Sequence, residues 1–467
     1  MGRFSRKDFL RNSLLGATGL AMAPLGSRAA KTTELEQRDW QRKFAPNDRI
    51  QIATIGMGII SHYDTKTALE VPGVEFVAAA DCYDSRLVRT KEVFGKDVFT
   101  TKDYREILDM PEVDAVLICT PDHWHARMTI DALEAGKHVY CEKPMVHDIP
   151  EGDRVVQAAE QSERVMQVGS QFASDLVFQK AKELYREGAI GTLNQVVATY
   201  NRNSSLGAWQ YSIPQDASPE TVDWQGFLGD APDVEWDPKR FFRWRCYHDY
   251  GTGVPGDLFV HLFTGIHTVL GAVGPTHISA SGGIRSWFDG REAPDVIIGQ
   301  YEYPETDHHP DFTLVLQSNL ADGGGSGSMF QFIGDKGAIE VSPGNSVRLT
   351  SYPRREPSVD NLVRGYNSVM TFSEEVQKEF EQNYREEHAE IMPSPPALNQ
   401  REEFETPNGY DARLDHMVQF FDSIRNGTPV FQDAAFGFRA AAPALLTNRS
   451  QQERQVIRWD PDNMKVV

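Results

Sequence analysis

The sequence predicts an α/β protein of two domains: a parallel sheet covered by helices, followed by an α/β domain with an open, mainly antiparallel sheet. Three observations lead to this prediction. The 467 residues exceed the length of one ordinary hydrophobic core. Between residues 50 and 169, short apolar runs alternate with helical stretches, which is typical of a parallel sheet. Between residues 193 and 341, strand-like runs follow one another with short turns, which indicates antiparallel pairing.

Composition and charge exclude several classes of partner. Hydrophobic residues make up 40% of the chain, and no apolar run approaches the ~20 residues that a membrane span needs. The net charge of −20 argues against nucleic acid, which requires a basic face, and favours an uncharged or cationic ligand. The four cysteines form no C-x-x-C pair. We therefore expect buried cysteines and no metal site or disulfide framework.

The first 30 residues have the pattern of an export signal. Basic residues precede an apolar run, and the small-residue segment 27–30 (SRAA) follows it. Residues 5–11 (SRKDFLR) resemble a twin-arginine signal in which Lys7 replaces the second arginine. We expect export to the periplasm by this route; a generic signal or a basic tail is the alternative. Residues 31–47 are polar and are expected to form a linker.

A glycine turn follows the first predicted strand, residues 50–55. Gly56, Gly58 and Ser61 occupy the three small positions of a G-x-G-x-x-G fingerprint, and a helix begins near Ile59. Glycines at this turn let the backbone approach a pyrophosphate, which the helix N-terminus then binds. Ile59 is therefore a candidate cofactor contact together with Gly56 and Gly58.

The next strand, residues 74–80, ends at Asp81. An acidic residue about 20 positions beyond the glycines accepts the ribose hydroxyls of NAD and repels the 2′-phosphate of NADP. Asp81 therefore favours NAD over NADP, and an ordinary turn residue is the alternative interpretation. Together the strands, the glycines and Asp81 predict an NAD-binding Rossmann domain over residues 48–170.

Two further strands of this sheet end in polar loops. Residues 113–119 are followed by Thr120, Pro121 and His125, and residues 138–142 lead directly into Lys143. In an open parallel sheet, ligands bind at the carboxyl ends of the strands. These loops are therefore expected to face the same crevice as the glycine turn, with Lys143 as a cation at its edge.

The ordered set of these motifs resembles the glucose–fructose oxidoreductase/inositol dehydrogenase (Gfo/Idh/MocA) family. The set comprises Gly56-x-Gly58, Asp81, residues 120–125 (TPDHWH), 135–139 (AGKHV) and 142–144 (EKP). The resemblance implies an oxidoreductase that uses NAD, or less often NADP, on the CH–OH groups of carbohydrates. It also implies that Glu142 and Lys143 lie beside the nicotinamide and that Lys143 contacts the reacting hydroxyl.

A second candidate segment lies in the predicted substrate domain, residues 171–467. Asp257 and His261 are four residues apart at the start of an apolar helix, so they share a face. From spacing alone, a helix-capping Asp257 and a satisfied core His261 are an equally good interpretation. The family carries D-x-G-x-H at this place, where this chain has Phe259 in the middle. The resemblance implies that Asp257 and His261 complete the catalytic site with Lys143.

The expected function is an exported, NAD-dependent dehydrogenase of a small carbohydrate. His261, with an ordinary pKa of ~6.5, would accept the hydroxyl proton, and Lys143 would stabilise the developing alkoxide. The first alternative is NAD-dependent glycoside cleavage by transient oxidation and elimination. The second, from another class, is a non-catalytic sugar-binding protein with the same fold.

Two regions of the substrate domain carry no assigned chemistry. Most rings of the aromatic-rich stretch from Trp209 to Tyr247 are expected to fix an irregular loop to the surface; stacking of a minority on a sugar ring is the alternative. Residues 351–408 are expected to be an insertion with one acidic helix, residues 373–391, opened by a capping box of Thr371 and Glu374. A homo-oligomer is expected, with this insertion as a surface elaboration or an oligomer contact.

Overall fold

The first sheet has six parallel strands in the computed structural model, which describes residues 31–36, 49–352, 360, 363, 365–389 and 400–467. Its strands are β2 (Ile50–Ile55), β3 (Val74–Ala80), β4 (Phe99–Thr101), β5 (Ala115–Ile118), β6 (His138–Glu142) and β7 (Met166–Gly169). Their order is β4-β3-β2-β5-β6-β7, which is the 3-2-1-4-5-6 order of the Rossmann fold. The predicted nucleotide-binding sheet is confirmed, and β4 is a strand that the sequence pattern did not reveal.

Five helices connect these strands. They are α1 (Ile59–Glu70), α2 (Asp84–Phe94), α3 (Tyr104–Leu108), α4 (His125–Glu134) and α5 (Ile149–Gln161). The central strand β5 is completely buried because helices cover both faces of a parallel sheet. The carboxyl ends of β2, β3, β5 and β6 consequently meet at one edge, where the predicted loops lie.

The second sheet has eleven strands within the described residues, in the order β1-β15-β14-β13-β12-β8-β11-β10-β9-β16-β17. The strands are β1 (Lys31–Glu34), β8 (Leu193–Asn201), β9 (His277–Gly283), β10 (Val296–Tyr303), β11 (Phe312–Asn319), β12 (Gly327–Gly334), β13 (Gly337–Ser342), β14 (Ser346–Ser351), β15 (Gln400–Glu405), β16 (Ile457–Asp460) and β17 (Lys465–Val466). Neighbours are antiparallel except the pairs β8–β11 and β1–β15. The predicted open, mainly antiparallel sheet is therefore confirmed.

Seven helices accompany this sheet in the described part of the chain. They are α6 (Leu176–Arg186), α7 (Trp224–Leu228), α8 (Pro238–Phe242), α9 (Val260–Leu270), α10 (Glu374–Glu387), α11 (Ala412–Asn426) and α12 (Ala434–Glu453). A π-helical turn, Pro255–Phe259, leads into α9, and all residues of α9 are buried between neighbouring elements. Short 3-10 segments lie at Asp122–Trp124, Gln171–Ala173, Leu206–Ala208, Trp244–Cys246 and Ser368–Thr371.

The last two long helices return to the Rossmann domain. On α11, His416 accepts a hydrogen bond from Gln167 at its carbonyl oxygen, 2.8 Å away, and its Nε2 lies 2.9 Å from the Val168 carbonyl. The amide of Val168 donates to the carbonyl of Gln432, just before α12. Because these contacts join the end of the chain to β7, they hold the two domains around the crevice between them.

The structure corrects three boundary predictions. Residues 31–34 were expected to belong to a linker, but they form β1, which pairs with β15; residues 37–48 lie outside the described residues. The end of the insertion, β15, is part of the second sheet and not a surface elaboration. Helix α10 begins after Ser373, whose hydroxyl accepts from the Val376 amide, so the Thr371 capping box does not form. A serine directly before the helix satisfies the same orphan amides.

Among the helices of the described residues, none combines the length and the apolar character that crossing a membrane would require. All four cysteines are free thiols; Cys119, Cys141 and Cys246 are buried, and Cys82 is partly buried.

Candidate active site

A crevice of about 1090 Å³ lies between the carboxyl edge of the Rossmann sheet and the second sheet. Most of the predicted site residues line it. They are Gly56, Gly58, Ile59, Asp81, Thr120, Pro121, Glu142, Lys143, Asp257 and His261. The topology therefore brings the cofactor motifs and the Asp257–His261 segment to one place, although they lie far apart in the sequence.

The glycine turn fits a pyrophosphate. Gly56 has a φ of +88°, and a Cβ there would lie 2.8 Å from the Cys119 carbonyl oxygen, so only glycine fits. A Cβ on Gly58 would meet no atom within 4 Å, which means that it would fill the space over the turn. Gly58 also precedes α1 without any side-chain cap, so the first amides of the helix remain available to an anion. Ser61 is buried and its hydroxyl donates to the Gly58 carbonyl at 2.7 Å, which stabilises the turn.

Asp81 lines the crevice beside the glycine turn. Its Oδ2 accepts from the Met57 amide at 2.7 Å, and its Oδ1 accepts from the Tyr83 amide at 2.9 Å. Arg86 lies 3.3 Å from the same carboxylate. A carboxylate offers about four lone-pair sites, so these contacts orient Asp81 and still leave capacity for ribose hydroxyls.

We expect Asp81→Ala to weaken NAD binding by about tenfold and to raise the affinity for NADP relative to NAD. The substitution removes the acceptor of the ribose hydroxyls and the charge that repels a 2′-phosphate, whereas Arg86 remains beside the site. Titration with NADH and NADPH, followed by fluorescence, measures both affinities. Asp84→Ala removes a half-exposed carboxylate that pairs with Lys102 and serves as the control. An unchanged NADP-to-NAD ratio in Asp81→Ala would contradict the assignment.

His125 does not line the crevice. Its Nδ1 lies 2.6 Å from the Pro144 carbonyl oxygen and its Nε2 lies 2.9 Å from the Thr120 carbonyl oxygen. The buried ring therefore connects the loop that follows β5 with the loop that follows β6. His125 positions Thr120 and Lys143 and does not itself form part of the crevice surface. The Lys143–Pro144 peptide bond in the second loop is cis.

A hydrogen-bonded ion pair lies at the inner end of the crevice. Lys143 Nζ donates to the Asp257 carboxylate at 2.8 Å and to the Asp257 carbonyl at 2.7 Å. Arg245 Nε lies 3.3 Å from the same carboxylate, Arg202 Nη2 lies 3.8 Å from it, and Trp209 Nε1 donates to it at 3.2 Å. Asp257 therefore does not act as a helix cap; it lies within the π-helical turn and connects both domains through Lys143.

The Asp257 carboxylate is ionised despite its burial. Burial raises its pKa, but Lys143, Arg245 and Arg202 lower it, and together they hold the pKa well below the ordinary value. A carboxylate surrounded by three cations is thus the fixed counter-charge of the site.

His261 lines the crevice beside this ion pair. Its ring packs between Phe172, with centroids 5.2 Å apart, and Tyr200, at 5.9 Å. Burial lowers its pKa, Lys143 lowers it further, and the pKa lies well below the ordinary value that the sequence analysis assumed. His261 is therefore neutral at physiological pH. By contrast, His267 lies 2.9 Å from the Tyr303 hydroxyl, away from the crevice.

A buried carboxyl pair lies beneath Lys143. Burial raises the pKa of Glu142 to about 7, and burial together with Glu142 raises the pKa of Asp64 well above its ordinary value. The Cys119 thiol lies 3.7 Å from the Asp64 carboxylate, and Arg413 also lines this part of the crevice. Because two neighbouring carboxylates cannot both ionise cheaply, the pair retains a proton near neutral pH.

Comparison with known proteins agrees with this arrangement. Residues 50–170 match the Gfo/Idh/MocA family model for the "Oxidoreductase family, NAD-binding Rossmann fold", and residues 231–458 match that for the "Oxidoreductase family, C-terminal alpha/beta domain". The chain belongs to the Gfo/Idh/MocA oxidoreductase family. Its first domain is thus an NAD-binding Rossmann domain, as predicted.

Relatives of this Gfo/Idh/MocA protein match over part of their length. Myo-inositol 2-dehydrogenase of Thermotoga maritima is 30% identical over 142 residues, which cover 30% of this chain and 42% of that protein. Levoglucosan dehydrogenase of Pseudarthrobacter phenanthrenivorans is 32% identical over 148 residues, 30% of this chain and 36% of that protein. A glycosyl hydrolase family 109 protein of Shewanella baltica is 28% identical over 177 residues, 35% and 39% respectively. The matched part is less than half of each relative.

Solved structures share the whole fold. A levoglucosan dehydrogenase in complex with NADH aligns with a TM-score of 0.62 at 16% identity, covering 88% of this chain and 99% of that one. An aldose-aldose oxidoreductase from Caulobacter crescentus aligns with a TM-score of 0.59 at 19% identity, covering 88% and 99%. At these identities the likeness establishes the two-domain architecture of this family member.

Several residues of the site were not predicted from the sequence. They are Asp64, Arg202, Trp209, Arg245 and Arg413. The sequence could have indicated Asp64, because this residue lies on the same buried face of α1 as Ser61 and Ala68, where a carboxylate needs a partner. The sequence did not indicate a role for Arg202 or Arg245, since arginines that follow a strand or lie in an aromatic loop are usually solvated.

Glu142→Gln is expected to change how the stability of the cofactor-free protein depends on pH. The folded pKa, about 7, exceeds the unfolded value of about 4.3, so the native state binds more protons between these values. The free energy of unfolding of the wild type therefore falls as the pH rises from about 4.5 to 7. The free energy of unfolding of the variant should not fall over this range. Above pH 7 the variant should therefore be more stable than the wild type by up to roughly 3 kcal/mol.

Urea unfolding at several pH values between 4.5 and 8 measures this difference. Glu160→Gln changes an exposed glutamate of α5 and should leave the wild-type pH dependence unaltered. Parallel curves for wild type and Glu142→Gln would show that Glu142 is ionised throughout this range.

Proposed function

We propose that this protein is an exported, NAD-dependent dehydrogenase that transfers hydride between a hydroxyl-bearing carbon of a sugar or glycoside and the nicotinamide. The observation that carries the proposal is the Lys143–Asp257 ion pair beside neutral His261, in the crevice that also contains the glycine turn. The names of the inositol and levoglucosan dehydrogenases among the relatives support a carbohydrate substrate.

Oxidation of a CH–OH group breaks one C–H and one O–H bond. NAD, when bound, supplies the acceptor for the hydride. The hydroxyl proton goes to His261, which is neutral and lies in the crevice. Lys143 has three N–H donors, and two of them contact Asp257, so one is left to hold the substrate oxygen as negative charge develops.

The low pKa of His261 has a mechanistic consequence. A histidine that stays neutral over a wide pH range is always ready to accept a proton, although it holds the proton weakly. The cation at Lys143 favours the alkoxide form of the substrate, and this lowers the demand on the base. The two residues are thus complementary: Lys143 makes the hydroxyl more acidic, and His261 removes its proton.

The mature protein should be purified and examined for bound NAD by absorbance and mass spectrometry. A panel of sugars and glycosides should then be screened for growth of NADH absorbance. Sugar-dependent NAD reduction is expected, and reduction that survives both Lys143→Ala and His261→Ala would contradict the proposal. A protein that binds sugars but never NAD would instead support the non-catalytic alternative.

A second candidate function is NAD-dependent glycoside cleavage. Several relatives carry the name glycosyl hydrolase family 109 protein, which favours keeping this alternative. Transient oxidation of a sugar hydroxyl to a ketone would acidify the neighbouring C–H bond. Loss of that proton together with the glycosidic oxygen would release the leaving group and give an unsaturated ketone. Water would then add to the double bond, and return of the hydride to the ketone would leave no net change in oxidation state. Release of sugar from a glycoside without any accumulation of NADH would identify this reaction.

Export and assembly are part of the proposal. Residues 1–30, which carry the twin-arginine-like signal, lie outside the described residues. Fusing them to a reporter enzyme, in cells with and without the twin-arginine translocase, tests the route; equal export in both would exclude it. Sedimentation of the purified protein tests the proposed homo-oligomer.

A further inference from the structure

The inner end of the crevice contains more positive than negative charge. Lys143, Arg202 and Arg245 all face the single carboxylate of Asp257, at 2.8, 3.8 and 3.3 Å. The three cationic side chains are 10%, 25% and 26% exposed. Buried or half-buried charges are usually paired, because removing an ion from water is costly. Among the described residues, two of these three positive charges have no counter-charge of their own.

The other acidic residues nearby are already engaged. Asp122 accepts hydrogen bonds from the Thr252 amide and hydroxyl, at 2.9 and 2.6 Å. Asp64 and Glu142 form the proton-sharing pair beside Arg413. Among the residues that the structure describes, no carboxylate other than Asp257 forms an ion pair with Arg202 or Arg245. The oxidised nicotinamide would add a further positive charge, so the cofactor does not supply the missing anion at this end.

Both arginines retain unused donors. Arg202 Nη1 donates to the Gly207 carbonyl at 3.5 Å, and its Nε has no hydrogen-bond partner within the described residues. Arg245 uses Nε for Asp257, and its Nη1 and Nη2 have no hydrogen-bond partner within the described part of the chain. Its guanidinium carbon lies 4.1 Å from the Trp244 ring centroid, and that of Arg202 lies 5.5 Å from the Tyr200 centroid. Stacking fixes the guanidinium planes but leaves their N–H edges available. A planar edge of this kind binds a carboxylate or a phosphate through two parallel hydrogen bonds.

The rest of the wall suits a sugar ring. Tyr200, Tyr211 and Trp244 line the crevice next to the two arginines. Aromatic faces pack against the C–H groups of a pyranose, while Lys143 and His261 are placed for one hydroxyl. An anionic substituent on the same sugar would then lie within reach of the arginine pair.

We propose that the natural substrate is an anionic carbohydrate, a sugar that carries a carboxylate or a phosphate, and that Arg202 and Arg245 bind this group. This inference rests on the proposed function and specifies its substrate class. It differs from what the net charge of −20 indicates, because the charge of a site depends on the few groups that face it.

Matched ligands test the proposal. Glucose, glucuronate and glucose 6-phosphate differ only in the substituent at one carbon, and galactose with galacturonate provides a second pair. Binding to the NADH-loaded protein should be measured by calorimetry, and NAD reduction should be measured with each sugar. We expect at least one anionic member to bind about tenfold or more tightly than its neutral partner, and the same order in kcat/KM. Comparison of the affinities for glucuronate and glucose 6-phosphate shows whether the site prefers a carboxylate or a phosphate.

Variants locate the effect. Arg202→Gln and Arg245→Gln should each lower the ratio of the affinity for the anionic sugar to the affinity for the neutral sugar by about tenfold. Arg449→Gln removes an exposed arginine of α12 that pairs with Glu453 and should leave the ratio unchanged. Because the ratio is taken within one variant, partial misfolding does not alter it.

The two proposals can fail separately. Neutral sugars that bind and react as well as their anionic partners, or anionic members that all fail to bind, would overturn the anionic substrate and leave a dehydrogenase in place. An anionic sugar that binds through Arg202 and Arg245 but is never oxidised would overturn the dehydrogenase and retain the anion site.

Discussion

Replacing Lys143 by alanine should lower kcat for carbohydrate oxidation by about 10²- to 10³-fold. The substitution removes the cation that holds the substrate oxygen and stabilises the developing alkoxide, and a preorganised donor of this kind contributes that much. NAD affinity should change by no more than a few-fold, because the glycine turn and Asp81 bind the remainder of the cofactor. Steady-state NAD reduction and NADH titration measure the two quantities.

Two further variants make the result for Lys143 specific. Lys143→Met keeps the aliphatic stem but removes the charge, so it should be as slow as the alanine variant. Lys180→Ala removes a lysine of α6 that pairs with Glu183 and does not line the crevice, so this variant should keep wild-type activity. A methionine variant with near wild-type kcat would show that packing, and not charge, is what Lys143 contributes.

Asp257→Asn should lower the free energy of unfolding by about 3–5 kcal/mol. The substitution leaves Lys143, Arg202 and Arg245 together in a nearly buried site without their shared carboxylate, and removing one partner of a buried ion pair has a cost of this size. The amide keeps the shape of the side chain and can still accept a hydrogen bond, so the loss reports on charge.

The same variant should change acid unfolding. The folded pKa of Asp257 lies below the unfolded value of about 3.9, so its contribution is complete above that pH and is lost as the pH falls through the folded pKa. Urea unfolding of wild type and variant should therefore differ at pH 7, and the difference should begin to shrink as the pH falls below about 4. Asp249→Asn breaks the more exposed pair with Arg240 and should cost less than about 1 kcal/mol. Equal losses in both variants would contradict the role given to Asp257.

These results would also bear on how the domains are held together. Lys143 belongs to the Rossmann domain and Asp257 to the substrate domain. Their ion pair therefore lies at the proposed catalytic site and also helps to fix the orientation of the two domains. If Asp257→Asn lowered NAD affinity as well as stability, the interface between the domains would contribute to cofactor binding. Unchanged NAD affinity would show that the Rossmann domain binds the cofactor independently of this contact.

The sequence pattern was sufficient to predict the fold and to identify motifs that line the crevice. Three features of the sequence are local: the glycines at 56 and 58, the acidic residue at 81, and the strands that end in polar loops. Backbone geometry places each of them at one position of a Rossmann sheet. Helix α11 was predicted with the bounds that it has, because its periodicity and the following Gly427 are also local. The boundaries that failed, at β1 and β15, depend on strands that pair across a long separation in the sequence.

What the sequence determined by itself, then, is the order of the elements, the glycine turn and the family resemblance that pointed to Lys143, Asp257 and His261. Only the tertiary structure decided their electrostatic state. It showed that the pKa of His261 lies well below its ordinary value, so the ring is neutral. It also showed that Asp64 meets Glu142 and that Arg202 and Arg245 converge on Asp257. Burial and the charges that face a group determine its pKa, and both arise from residues that are distant in the sequence and become neighbours only when the two sheets close around the crevice.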